Sequence, residues 1–315
     1  MRPRHSLTDL DDRIAALPQT RARLPELVRN RFASRHRRAV LGHDGRLLLV
    51  STEPILADSS HPCPDRADLL HRLAVALECP GVDGIVASSD VIEDLLMLEV
   101  LEDRVVFGAL RLSVDSPGSR PRLAGCDPAT IAATHLEGGA LTCPLDVWPP
   151  GQDAAAALPE CAAVVGEMAA HSLVTLVSVS AGSRGIEWSA TAAAGLGARS
   201  TYTWLVLPDG AQAAAAAAAT TLPLVVEPEP GSDPDAIGAA LAMAAVLGIV
   251  VGRAALYPDD GQVEHALAAF AIPAFAQSWP TKPVKIIVPF AAGASTDILA
   301  RLIADHLGKT QGQPF

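Results

Sequence analysis

The chain has 315 residues, half of them hydrophobic, with a mean hydropathy of +0.28, enough apolar surface for one large barrel or two smaller domains and too much for a disordered protein. Its 35 acidic side chains outnumber 24 basic ones, and the net charge of -11 argues against a nucleic-acid surface, which needs clustered cations. The one dense basic run, Arg29 to Arg38, reads as a solvated helix face.

Residues 7–17 and 22–38 carry apolar side chains at helical spacing (Leu7, Leu10, Ile14, Leu17; Leu24, Leu27, Val28), and they predict two helices covering the bottom of a barrel. The turn HDG at 43–45 then launches RLLLVS, a first strand, and Asp65 to Leu77 reads as an outer helix. GIVAS at 84–88 is a second strand. Asp90 reads as the N-cap of the helix that follows, with Glu93 and Asp94 suited to the dipole of its first turn. Further strands are expected at Arg104 to Leu110, near 138–147, at 173–180 and at 221–227, separated by helices opening at Asp127, Gly151, Gln212 and Ser232 or Asp233. A polar loop through Gly125 reads as a lid over the barrel mouth. The apolar run from Ala236 to Gly252 is long enough to raise a membrane-span reading, but Gly248 divides it into a helical and a β-branched part.

The sixth strand of this series falls at Arg199 to Pro208, RSTYTWLVLP, a β-branched and aromatic run closed by proline. Together with VDGIVASSDVIEDLLML (82–98) and GIVVGRAALYP (248–258), it resembles an aldolase-like (β/α)8 family. That family occurs with bacterial inositol-catabolism genes and is related to deoxyribose-phosphate aldolase. The resemblance covers about residues 20–270. It implies a TIM barrel, with N-terminal helices over 1–45 and the barrel over 46–271, acting on a small carbonyl or sugar ligand. It marks Asp90, Gly252 and Arg253 as substrate-binding candidates; Tyr202 and Thr203 in the central strand are added, although their alternation lets only one of them face the interior. The sequence has no GxxxxGK[ST], HExxH or GxSxG motif, so no cofactor and no metal are expected.

The departures are chemical. The family reads YTWLKLP at the central strand, with a lysine suited to Schiff-base chemistry, where this chain has Val206. After two glycines the family has a second lysine, where this chain has Ala140. The loop after the first strand reads TEPILADSS in place of a histidine- and arginine-containing sequence, and the fifth strand lacks the family's acidic group. Lysine occurs only at 282, 285 and 309. Two readings follow: a catalytically degenerate barrel, or an active lyase working without lysine. Beside Arg253, Glu227 and Glu229 replace small glycines, which predicts weak phosphate binding and an Arg253 paired to one of those carboxylates.

Residues 272–315 are a separate segment. AFAQSWPTKPVKIIVPFAAGASTDILARLIADHLGKTQGQPF resembles the start of a tripartite tricarboxylate transporter substrate-binding protein, with signal-peptide-like AIPAFAQ. That resemblance implies a carboxylate-holding loop at Gly293, Ser295, Thr296 and Asp297, and a solute-binding role as a third, lesser reading. Five scattered cysteines (Cys63, Cys79, Cys126, Cys143, Cys161) without a CxxC pair fit a reduced cytoplasm. No nucleic-acid or membrane partner is expected. A homo-oligomer stays open.

Overall fold

The computed structural model describes residues 9–42, 45–53, 64–113, 122–142, 154–181, 184–228 and 231–275. Its contacts divide the chain into two compact units, Met1–Ala271 and Ile272–Phe315. The loop residues 54–63 and 114–121, Glu229, and the segment carrying Lys282, Lys285, Gly293, Ser295, Thr296 and Asp297 lie outside the described residues.

In the first unit eight parallel strands close into a barrel: β1 (Leu47–Ser51), β2 (Gly84–Ala87), β3 (Val105–Ser113), β5 (Gly138–Thr142), β6 (Val174–Ser178), β7 (Thr203–Leu207), β8 (Leu224–Val226) and β9 (Val246–Val251). β1 pairs with both β2 and β9, and β2 with β3, so the ring has no free edge. A ninth strand, β4 (Arg122–Gly125), runs antiparallel to the end of β3. The sequence had suggested a loop through Gly125, and the hairpin replaces its last part. The central stretch is β7, the sixth parallel strand, as expected.

The strands are buried on both faces because side chains alternate between the barrel interior and the helical jacket. Leu47, Leu49, Val86, Val105, Phe107, Leu176, Trp204, Val206, Val225 and Val250 form the interior. The opposite parity, with Leu48, Val50, Ile85, Val106, Leu205 and Leu207, packs outward in the larger core. The glycine pair of β5 has a steric reason. A Cβ at Gly138 would lie 2.5 Å from the Phe107 ring, and one at Gly139 would lie 2.5 Å from Leu110. Gly248 sits inside β9 for the same kind of reason, since a Cβ there would stand 2.3 Å from the Leu47 carbonyl oxygen. It does not divide helix from strand as the sequence reading had it: β9 already begins at Val246.

The helices are α1 (Leu10–Arg23), α2 (Pro25–Ser34), α3 (Arg66–Glu78), α4 (Ser89–Met97), α5 (Pro128–Ala133), α6 (Ala154–Ala170), α7 (Ile186–Ala194), α8 (Ala213–Ala219), α9 (Pro234–Leu241), α10 (Arg253–Leu256) and α11 (Val263–Phe275). Asp65, Asp127 and Asp233 cap α3, α5 and α9 through their carboxylates. None of the described helices is long and apolar enough to cross a membrane.

α1 packs on α3 and α2 on α4, so these two N-terminal helices lie against the jacket. The barrel floor is closed by the extended segment after them, whose Val40 and Leu41 pack against the interior cluster. Arg35 and Glu137 meet there, with Nη2 and Oε2 3.2 Å apart and side chains 9% and 0% exposed. Glu137 also accepts the amides of Arg38 (3.1 Å) and Val106 (2.7 Å). Burial pulls the Arg35 guanidinium below its ordinary pKa against the pull of Glu137. Arg35 donates further to the carbonyls of Leu101 and Arg104, and Arg37 to those of Ala132 and His171 at the ends of α5 and α6. The end of the basic run is therefore a strap that satisfies backbone carbonyls and a buried carboxylate; the solvated-face reading is corrected for Arg35, while Arg37 remains exposed.

Candidate functional site at the barrel mouth

Parallel barrels present chemistry at the C-terminal ends of their strands, where the loops can vary without disturbing the core. The register fixes what stands there. Ala140, Leu176 and Trp204 lie on one row across β5, β6 and β7 and form an apolar floor. Two residues further on, Thr142, Ser178 and Val206 form the next row, joined by Val225 of β8. Thr142 is exposed and Ser178 half-buried, whereas Val206 is buried. Val206, at the expected lysine position, thus faces the barrel interior at the level where the apolar floor gives way to hydroxyls. Ala140, the second such position, faces the same interior one row below.

The same parity brings a charged pair to this end. On β3, Val105 and Phe107 face inward, Ala109 is level with Ala140, and Arg111 follows at the level of Thr142. On β1, Leu47 and Leu49 face inward, Ser51 ends the strand on the same parity, and Glu53 follows just beyond it. The Ser51 hydroxyl accepts the Glu53 amide at 3.2 Å and fixes the turn out of the strand. Arg111 then donates through Nε and Nη2 to both oxygens of Glu53, at 2.7 and 2.9 Å. The pair arches over the end of β2. Hydrogen bonding to Glu53 raises the Arg111 pKa above its ordinary value, burial opposes this, and the charges of Glu53 and Asp90 add to it.

Asp90 stands at this end too, in the first turn of α4, with 66% of its side chain exposed. It is not the N-cap, which is Ser88; instead its carboxylate takes a hydrogen bond from the Ser88 hydroxyl at 2.5 Å and pairs with Arg66 at 3.0 Å. Burial pushes its pKa up, but Ser88, Arg66 and the backbone amides more than offset this and hold the carboxyl below its ordinary value. Its neighbour Asp94 is almost buried between Arg21 and Arg66, each donating through two nitrogens. Arg21 also meets Glu93 at 2.7 Å. Asp94 and Glu93 therefore bind α4 to α1 and α3, a structural use of charge.

The other sequence candidates separate. Gly252 follows β9 at the mouth and precedes α10. Arg253 lies with its guanidinium 5.5 Å from the centre of the Tyr257 ring, which Arg72 also covers at 4.7 Å. Arg253 thus stacks on Tyr257, while Glu229, one of the two carboxylates the sequence suggested for it, lies outside the described residues. Tyr202 and Thr203 lie at the opposite end: Tyr202 is in the turn before β7, and Thr203 is its first residue, buried with the outward parity of Leu205 and Leu207. The fold does not bring these two to Asp90, Gly252 or Val206. A hollow of about 580 Å³ lies elsewhere, lined by Pro25, Val28, Phe32, Arg21, Glu93 and His135. Among the described residues no group of three or more His, Cys, Asp or Glu side chains is placed to hold a metal ion. Cys79, Cys126 and Cys161 are buried thiols outside any disulfide; burial is the main reason the first two have raised pKa values.

The Cgl0159-like family model matches residues 55–271, most of the barrel. This chain belongs to the Cgl0159-like family. Its fold is similar to that of Cgl0159 from Corynebacterium glutamicum (Brevibacterium flavum), with a TM-score of 0.73, 29% identity, and coverage of 84% of this chain and 97% of that one. It is also similar to a Schiff base-forming fructose-1,6-bisphosphate aldolase, with a TM-score of 0.54, 16% identity, and coverage of 79% and 100%. An archaeal fructose-1,6-bisphosphate aldolase gives a TM-score of 0.53 at 17% identity, covering 78% of this chain and 99% of that one. These two likenesses show an aldolase-type barrel fold. Among curated proteins, BugT of Bordetella pertussis is 45% identical over 49 residues, 16% of this chain and 15% of BugT. A UPF0065 protein of Bordetella bronchiseptica is 44% identical over 48 residues, 15% of this chain and 14% of its own length. The chain spans about 15% of the length of the curated relatives it matches.

Proposed function

We propose that this chain is an aldolase-family barrel, related to carbohydrate or inositol catabolism, that has lost imine chemistry and keeps a mouth for a small carbonyl or sugar ligand. The observation that carries this reading is Val206. It is buried in the interior on β7, level with Thr142 and Ser178, at the place the family resemblance assigns to the reactive lysine. A Schiff base requires a nucleophilic amine inside the pocket, and neither Val206 nor Ala140 has one. No lysine precedes residue 282. Arginine is no substitute, because its guanidinium stays protonated. We read the location as cytoplasmic, on the scattered cysteines without a CxxC pair.

The test is borohydride reduction of the full chain in the presence of a panel of aldehydes and ketones, followed by peptide mass mapping. The expected result is no lysine adduct on any barrel peptide. An adduct within residues 46–271 would overturn the reading, and one at Lys282 or Lys285 would assign the amine to the terminal segment. Carbon–carbon bond cleavage without any adduct would favour the lyase that works without lysine.

A further inference from the structure

We infer that Arg111 is the recognition point for a small monocarboxylate at the barrel mouth, and that Glu53 occupies its place when no ligand is bound. The inference rests on the mouth being the ligand-binding end, but not on the fate of the lysine chemistry.

Three observations carry it. The first is level: Arg111 stands on the row of Thr142, Ser178 and Val206, directly above the apolar floor of Ala140, Leu176 and Trp204. A ligand resting on that floor meets the guanidinium and two hydroxyls together. The second is geometry. Glu53 already engages the Arg111 fork with both oxygens, at 2.7 and 2.9 Å, so a planar carboxylate fits as the site stands. The third is access. Arg111 is 48% exposed, so a ligand can reach its fork in competition with Glu53, whereas the side chains of the Arg35–Glu137 pair are 9% and 0% exposed.

The surrounding charge narrows the class. Asp90 lies close enough to add to the field at Arg111, and Glu227 follows β8 two residues after the inward Val225. Glu53 stays tethered beside Arg111 when its contact is taken over, so a bound monoanion adds one negative charge to the mouth. A phosphate dianion would add two among carboxylates, which is less favourable at these distances. The hydroxyls of Thr142 and Ser178 suit a carboxylate that also carries hydroxyl or carbonyl oxygens.

Glycerate is the probe, with glycerol and inorganic phosphate as controls, and binding is read by titration calorimetry on the full chain. Wild type should bind glycerate weakly and reject both controls. Glu53→Gln should tighten glycerate binding by about fivefold, because the competing carboxylate is gone. Arg111→Gln should abolish binding, and Arg111→Lys, which keeps the charge and loses the fork, should weaken it. Circular dichroism checks that each variant is folded; if Arg111→Gln is not, the Glu53→Gln and Arg111→Lys results decide. Equal binding of glycerol, preferred binding of phosphate, or glycerate affinity untouched by any of these changes would overturn the proposal. None of those outcomes bears on imine trapping.

Discussion

The two ends of this barrel use charge in opposite ways. At the floor, Arg35 is consumed by the fold, holding the fully buried Glu137 and two carbonyls, while the exposed Arg37 reaches the carbonyls at the ends of α5 and α6. At the mouth, Arg111 and Asp90 are about half-exposed or more and Glu53 partly exposed, around a row of hydroxyls. The buried Arg35–Glu137 pair is unable to respond to a ligand without unfolding its surroundings. The charges at the mouth are held by side-chain partners that can be exchanged. The difference teaches that charge in a barrel marks function only after its end and its burial are known.

The largest expected effect lies at the floor. Glu137→Ala leaves Arg35 buried without its partner and should cost about 3–5 kcal/mol, read as a fall in the chemical-denaturation midpoint. A loss below about 1 kcal/mol would mean that the strap is not fastened as described. On the jacket near the mouth, burial and the Asp68 carboxylate push Tyr257 up to about 12. A raised phenol favours folding below its unfolded pKa of about 10, and that contribution is lost as pH climbs from there through the folded value. Melting temperature should therefore fall with pH above about 10, and Tyr257→Phe should flatten that fall. An unchanged slope would remove Tyr257 as its cause.

A smaller effect belongs to the floor turns. Glu99, His135 and Ser172 have φ of 59°, 55° and 55° just after α4, α5 and α6. Bonds from the amides of Val100, Leu136 and Leu173 to the carbonyls of Leu95, Ile131 and Met168 close each turn. Ser172→Gly should stabilise by about 1 kcal/mol by relieving the left-handed conformation, measured by thermal or denaturant unfolding. Smallest of all, Arg111→Gln at the mouth should change stability by no more than about 1 kcal/mol. A loss as large as that of Glu137→Ala would erase the contrast between the two ends.

The strands were legible because a closed parallel barrel buries both faces, so runs such as RLLLVS, GIVAS and YTWLVLP stand out, and aspartates mark the starts of α3, α5 and α9. The ends of α4, α5 and α6 were not, since glutamate, histidine and serine occupy turns where glycine is the usual signal. β4 was missed because its register is set by β3 rather than by an apolar pattern of its own. At the site, Asp90 and Gly252 could be placed by their position after strands. Arg111 and Glu53 could not, although a signal existed for Arg111, which continues a period of two beyond the inward Val105 and Phe107; Glu53 lies past the end of β1, far away in sequence. Tyr202 and Thr203 drew attention by belonging to the central motif, but they sit at the wrong end of β7, because the chain enters that strand from the floor.

The account rests on position 206 being the place where the amine would have to stand. Installing it tests this directly: Val206→Lys and wild type are reduced with borohydride beside the same carbonyl panel, and the adducts are mapped by mass. The account predicts a barrel adduct confined to the β7 peptide of the variant and none on the wild-type barrel. An adduct on the wild-type barrel would contradict it.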